Sequence, residues 1–374
     1  MTRNYWKVMA VTLLGAIGAF GNTQNMETRS WSSPLSKCWE YQVQGISGNG
    51  IASDNETAIA LPILKTSVIA LDTTTGQNLW LRDVSGLTSN LSTNSKNIVL
   101  LREVESTNKI KTYGTSSLLF EEFDFDTGLD FYNESIPVSV QSPYITFYEN
   151  AIYVIGSNGI ALEFNNQTKQ FEKIFAADVR FSTELSSDGE NFAIGTTNKT
   201  IIFAEKQAPL KQFPLGFVPT SLKVRHSTIF VGDERGKISA LATRFGEIKW
   251  TNTVGGKITS LNVIPKGILV TSNDNYIYLF DAVNGEKLWK RRLSGRVIGN
   301  ALISNEIGAF QSYSSNEAVI IDLENGKVLN RVIPDGSEYL IAKPLKVKNY
   351  LILFTETGVY SYSPNCASSS NPRQ

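Results

Sequence analysis

Histidine and cysteine are almost missing from this chain. Its 374 residues include one histidine, His226, and two cysteines, Cys38 and Cys366. That scarcity removes zinc sites and Ser/His/Asp or Cys/His arrangements that need several such residues. Net charge is missing too, since 35 Lys and Arg balance 35 Asp and Glu. A neutral chain sets up no general field to draw in nucleic acid or an anionic membrane surface. Helical periodicity is also lacking: from Cys38 onward no stretch sustains an apolar period of 3.6 residues, and Pro or Gly interrupts most long windows. The Gly-rich run Gly45-Ile46-Ser47-Gly48-Asn49-Gly50 is no P-loop, because no helix follows it to hold phosphate. The acidic run Ser53-Asp54-Asn55-Glu56 has neither the spacing nor the central Gly of a calcium loop. No catalytic residue, cofactor or metal site is therefore expected, and His226, between two strands, reads as a solvated loop residue.

What is present is repetition. Leu279-Phe280-Asp281-Ala282-Val283-Asn284-Gly285-Glu286-Lys287-Leu288-Trp289 reads as a strand, a tight turn and a second strand. The same spacing recurs as Asp72, Gly76 and Trp80; as Asp124, Gly128 and Tyr132; as Ala242, Gly246 and Trp250; and as Asp322, Gly326 and Asn330. With this turn as a ruler, anchors fall at Asp72, Asp124, Glu163, Glu205, Ala242, Asp281, Asp322 and Ser363, eight units of roughly 41 residues. Four-stranded propeller blades have about that length, and the expected fold is an all-β, eight-bladed propeller. Leu185, Leu222, Leu261 and Leu302 each lie twenty residues before an anchor and mark innermost strands, the first of them in 181–185. In each turn the Asp is expected to accept backbone N–H groups, the Gly to supply a left-handed conformation, and the Trp to pack between blades. These residues are read as structural.

The ends of the chain complement each other. The eighth unit stops at Cys366 after three strands, while Lys37-Cys38-Trp39-Glu40 matches Lys287-Leu288-Trp289-Lys290, with Trp39 in the Trp position. The N-terminal strand is thus expected to complete the last blade and remove an open edge. Cys366 and Cys38 then occupy the places of Asn284 and Leu288, which face each other across the turn, so a Cys38–Cys366 disulfide is predicted in place of the missing peptide. Residues 1–21 read as an export signal: Arg3 and Lys7 precede an apolar run, Val8 to Phe20, that is shorter than the ~20 residues of a membrane span. No Cys follows that run closely, so lipid attachment at a processed N-terminal Cys is not expected, nor is stable membrane insertion after cleavage. Residues 22–37 read as a flexible lead-in, 38–366 as the propeller and 367–374 as a disordered tail. The basic residues Arg180, Lys257 and Arg296 fall near the starts of inner strands and are candidates for binding at the funnel rim.

The repeat Ala-x-Asp-x-x-x-Gly-x-x-x-Trp at Ala70 to Trp80, and less fully at Leu279 to Trp289 and Ala240 to Trp250, resembles the tryptophan-docking repeat of pyrroloquinoline-quinone-like propellers over roughly 38–366. Within that group the chain looks like the BamB family. The resemblance implies an exported, periplasmic or secreted, non-enzymatic scaffold whose partners are proteins, among them envelope or outer-membrane assembly components. A second branch, the quinoprotein alcohol dehydrogenases, holds quinone and calcium on the axis with adjacent cysteines and a catalytic Asp. This chain has no adjacent cysteines. A quinone-dependent periplasmic oxidoreductase is the alternative. A third reading is a lumenal propeller of a eukaryotic complex, for which the sequons at Asn55, Asn90, Asn133, Asn166 and Asn198 would matter.

Overall fold

Segments such as 58–63 and 350–354 are apolar at every position rather than at alternate ones, which calls for a sheet covered on both faces. In the computed structural model, eight separate four-stranded antiparallel sheets provide that cover. The structure describes residues 30–366, apart from 48–49, 55, 65, 85, 87–90, 94–95, 105–116, 137–139, 149–150, 177, 206–208, 314 and 336–338. The signal segment, most of the lead-in, the tail, Asn55 and Asn90 lie outside the described residues.

Blades 1 to 7 span 52–83, 92–135, 144–176, 186–214, 219–253, 258–292 and 297–332, each running in chain order from inner to outer strand. Blade 8 takes its three inner strands from 345–363 and its outer strand, Ser36–Gln42, from the other end of the chain. The fold is an eight-bladed β-propeller. Its core is not one mass: eight apolar clusters lie in the seams, one between each pair of neighbouring blades. This explains the burial pattern. Second strands such as Gly267–Ser272 and Ile307–Ser312 are buried at every residue, whereas the outer strand Lys287–Arg292 is mostly exposed.

Two expectations are corrected in detail. The third anchor is Asn165, not Glu163. Asn165 ends its strand and accepts the N–H groups of Gln167 and Thr168, while Lys169 takes the Gly position at φ +56°. Lysine in place of glycine hid this turn from the spacing rule. The inner strand of blade 4 is only Ser186–Ser187, and 181–185 leads into it with a single bridge, Phe181 to Thr196. Inner strands of blades 1 and 2 are equally short, whereas those of blades 5 and 6, Pro219–Arg225 and Ile258–Ile264, run seven residues.

The described part of the lead-in, 30–37, is ordered where a flexible segment is expected. Trp31, on a short helical turn, is 2% exposed and packs in the seam between blades 7 and 8. It stands beside Asn330, whose side-chain amide donates to the carbonyls of Ser33 (2.6 Å) and Trp31 (3.4 Å).

Asp54 caps the first hairpin of blade 1. Its carboxylate accepts N–H groups from Glu56 (2.8 Å), Thr57 (2.8 Å) and Ala58 (2.9 Å), and the Thr57 hydroxyl. Burial pushes this carboxyl up, but the hydrogen bonds outweigh it and hold it below the ordinary carboxylate value. Asp54→Asn is expected to cost about 1–3 kcal/mol at pH 7. A group whose pKa is depressed on folding contributes above its unfolded value and loses that contribution as pH falls through the folded one. Denaturant unfolding should therefore show the gap between wild type and variant closing as the medium is acidified below the ordinary carboxylate value. A gap independent of pH would contradict this account.

Candidate functional site

The repeated residues meet at the seams. Each turn anchor holds a hairpin: Asp72 accepts N–H groups of Thr74 (2.9 Å) and Thr75 (2.7 Å), Asp124 that of Thr127 (2.8 Å), Asp281 those of Val283 (2.8 Å) and Asn284 (3.0 Å), and Asp322 that of Glu324 (2.7 Å). The glycine four residues on closes the turn at positive φ, from +67° at Gly128 to +75° at Gly285. A bulge follows in the outer strand, as between Phe280–Lys287 and Leu279–Trp289, and aims the Trp at the next blade.

There the indole lies flat on the next glycine. A Cβ added at Gly76 would meet the Trp39 ring at 2.6 Å, at Gly128 the Trp80 ring at 2.8 Å, at Gly285 the Trp250 ring at 2.5 Å and at Gly326 the Trp289 ring at 2.8 Å. Each indole N–H donates to the carbonyl one residue past the next anchor: Trp39 to Thr73 (2.8 Å), Trp80 to Phe125 (2.8 Å), Trp250 to Ala282 (3.0 Å) and Trp289 to Leu323 (2.9 Å). Phe213 fills the same place against Gly246. Tyr132 reaches the Lys169 carbonyl at 2.8 Å. Burial pushes the Tyr132 hydroxyl up to about 12, helped by its hydrogen bond to Glu134.

Sequence reasoning missed a second seam position, two residues past the Trp. Arg82 donates to the Gly128 carbonyl (3.0 Å), Asn252 to that of Gly285 (2.9 Å) and Arg291 to that of Gly326 (2.5 Å). The signal was available as a long or amide donor at a fixed offset from the anchor.

At the last seam Cys38 and Cys366 form a disulfide with Cα atoms 5.3 Å apart. Cys38 is the bulged residue between Lys37, opposite Tyr362, and Trp39, opposite Ser361. The Ser363 hydroxyl accepts the Asn365 N–H at 3.2 Å in place of an Asp anchor. Lys37 is clasped by Glu40 and Asp335, and its hydrogen bond to Asp335, then that to Glu40, raise its pKa above the ordinary lysine value.

One end of the ring collects the turns between second and third strands and the connections from each outer strand to the next inner strand. Arg180, Lys257 and Arg296 occupy equivalent connections there, before blades 4, 6 and 7, and all three side chains are exposed. Each is pinned by its own carbonyl, which accepts the N–H of Thr197 (2.8 Å), Asn273 (2.9 Å) and Tyr313 (2.7 Å) respectively. Two exposed tyrosines, Tyr313 at 66% and Tyr339 at 60%, lie on the same end. The opposite end carries His226, exposed in a hairpin turn at φ +49°, its N–H donating to Asp188 at 2.5 Å. Among the described residues no cluster of His, Cys, Asp and Glu has the makings of a metal site, and no helix is long and apolar enough to cross a membrane.

A model of the family described as outer membrane protein assembly factor BamB matches residues 216–338, that is, blades 5 to 7. The chain is a propeller whose repeats resemble those of BamB. Its fold is shared with the crystal structure of BamB from Moraxella catarrhalis, at TM-score 0.64 and 14% identity over 88% of this chain and 100% of that one. It is shared equally with the computationally designed protein Ika8, at TM-score 0.69 and 13% identity over 86% of this chain and 100% of the other. No curated protein sequence matches the chain.

Proposed function

We propose that this protein is an exported, non-enzymatic scaffold that docks protein partners of outer-membrane protein assembly, as the BamB resemblance implies. The observation that carries this reading is the match of blades 5 to 7 to the BamB family model. The geometry supports it. The repeat residues that stand out in the sequence are occupied in seams and turns, and the loops at the two ends of the ring stand free of that packing. Of its two ends, the one bearing Arg180, Lys257 and Arg296 offers cations and the exposed Tyr313 and Tyr339 on pinned backbone. Such a mixture of aromatic and basic side chains suits a protein partner better than a small ligand.

The test is a crosslinked pull-down of the protein from its native envelope, read by mass spectrometry. A β-barrel assembly component should be recovered, with crosslinks on the Arg180 end. Reversal of all three cations to Glu should cut that recovery by about tenfold or more without lowering the melting temperature, because rim charges steer association and are not seam residues. Recovery of no envelope protein, or recovery indifferent to the reversal, would overturn the docking face. Dye reduction on addition of the quinone with calcium would overturn the non-enzymatic part.

A further inference from the structure

Fourteen large apolar side chains are exposed among the described residues, and eight of them fall in two groups on the outer wall. Leu79, Leu81, Leu129 and Phe131 belong to the outer hairpins of blades 1 and 2. Phe245, Ile248, Val283 and Leu288 belong to those of blades 5 and 6. In a ring of eight, these two pairs of blades lie on opposite sides.

The two groups carry opposite charge. The blade 2 hairpin, 124–135, has four acids and no base, and that of blade 1, 72–83, has two acids and one base. The blade 6 hairpin, 281–292, has four bases and two acids, and that of blade 5, 242–253, has two bases and one acid. Much of this charge is not consumed internally. Lys287, Lys290 and Arg292 are exposed and form no ion pair among the described residues, Lys290 lying over the Tyr276 ring at 5.1 Å. Asp126 and Glu134 are exposed, and neither has a cationic partner among the described residues.

We infer that the protein self-associates head to tail, the acidic rim of blades 1 and 2 in one copy docking on the basic rim of blades 5 and 6 in the next. Charged outer strands normally keep sheet edges apart. Here they forbid like rims from meeting and select the unlike pair, while the apolar side chains between the charges supply the area to be buried. The contact is heterologous, and its two halves point in opposite directions, so repetition extends a chain of propellers instead of closing a dimer. This inference is independent of the partner-docking face, which lies on one end of the ring and stays open along such a chain.

The experiment is sedimentation velocity on protein expressed from the full chain. At about 50 mM salt the weight-average sedimentation coefficient should rise with concentration, and at about 500 mM salt it should fall to the monomer value, since screening removes the attraction between exposed charges. Two variants remove one rim's charge each: Asp126→Lys with Glu134→Lys leaves 124–135 without net charge, and Lys290→Glu with Arg292→Glu turns 281–292 net acidic. Each alone should sediment as a monomer at low salt, because neither then presents a strongly acidic rim together with a strongly basic one. Mixed, they should associate again, because each offers the rim the other lacks. Wild type that stays monomeric at low salt would overturn the inference, as would a mixture that stays monomeric. Association that survives in either variant alone would also overturn it.

Discussion

Replacing Cys38 and Cys366 together by serine is expected to lower the melting temperature by about 5–8 °C, the largest effect of any change at the surface of this protein. The bridge joins residues 328 apart. On the chain-entropy model, opening a loop of that size gives up about 5 kcal/mol, an upper figure. For a domain of this length each kcal/mol corresponds to a degree or two. The variant should still fold, because six residue pairs keep Ser36–Gln42 on the neighbouring strand and Lys37 remains clasped by Glu40 and Asp335. The weakness should therefore be local. Hydrogen exchange should show 36–42 losing protection ahead of every other outer strand. It should also worsen at high pH. A lysine whose pKa is raised on folding contributes fully below its ordinary value and loses that contribution as pH rises through the folded value. An unchanged melting temperature, with 36–42 as protected as before, would mean that strand pairing alone closes the ring.

Trp250→Ala is expected to cost about 3–5 kcal/mol, the range for removing a large aromatic from a packed core. The ring is 8% exposed, covers Gly285, contacts Phe230 at a centroid distance of 6.0 Å and donates its N–H to Ala282. Trp250→Phe should cost about 1–2 kcal/mol, because a ring remains on the glycine while the Ala282 carbonyl loses its donor. Gly285→Ala should also destabilise, by about 1–3 kcal/mol, since a Cβ there would enter the indole and the residue sits at φ +75°. The two sites form one contact. In denaturant unfolding the double variant Trp250→Ala/Gly285→Ala should be more stable than the sum of the single losses implies, with the clash gone and only the backbone strain left. Simple additivity would show that the indole and the glycine do not work as a unit.

Much of the ring was readable because its repeat is made of residues with strict backbone demands. Glycine at positive φ and Asp at the head of a turn have few substitutes, so Asp72, Gly76 and Trp80 announce their hairpin in any register. Where a substitute exists the signal fades. Lys169 adopts the left-handed conformation in place of glycine, Phe213 replaces an indole, and the repeat spacing points two residues short of the true anchor, Asn165. The donors at Arg82, Asn252 and Arg291 went unseen because their targets are carbonyls some 33 to 46 residues away, visible only when blades stand side by side.

The candidate surfaces divide in the same way. Arg180, Lys257 and Arg296 were recognisable as bases shortly before the inner strands. Their pinned carbonyls and their exposed tyrosine neighbours were not. Trp31 lies in a stretch without periodicity, yet it is buried, because the last seam has no peptide turn of its own and the lead-in occupies that place.

By itself the sequence determined the number of blades, their hairpins and the pairing of the two chain ends, since each follows from local turn chemistry repeated at one period. Only the tertiary structure decided which side chains face one another across the seams and which stand together on the outer wall. Closing the ring sets blades 1 and 2 opposite blades 5 and 6, and separates their acidic and basic hairpins by half a turn, because eight wedge-shaped sheets must share one axis. A chain of zero net charge thereby acquires two faces of opposite sign.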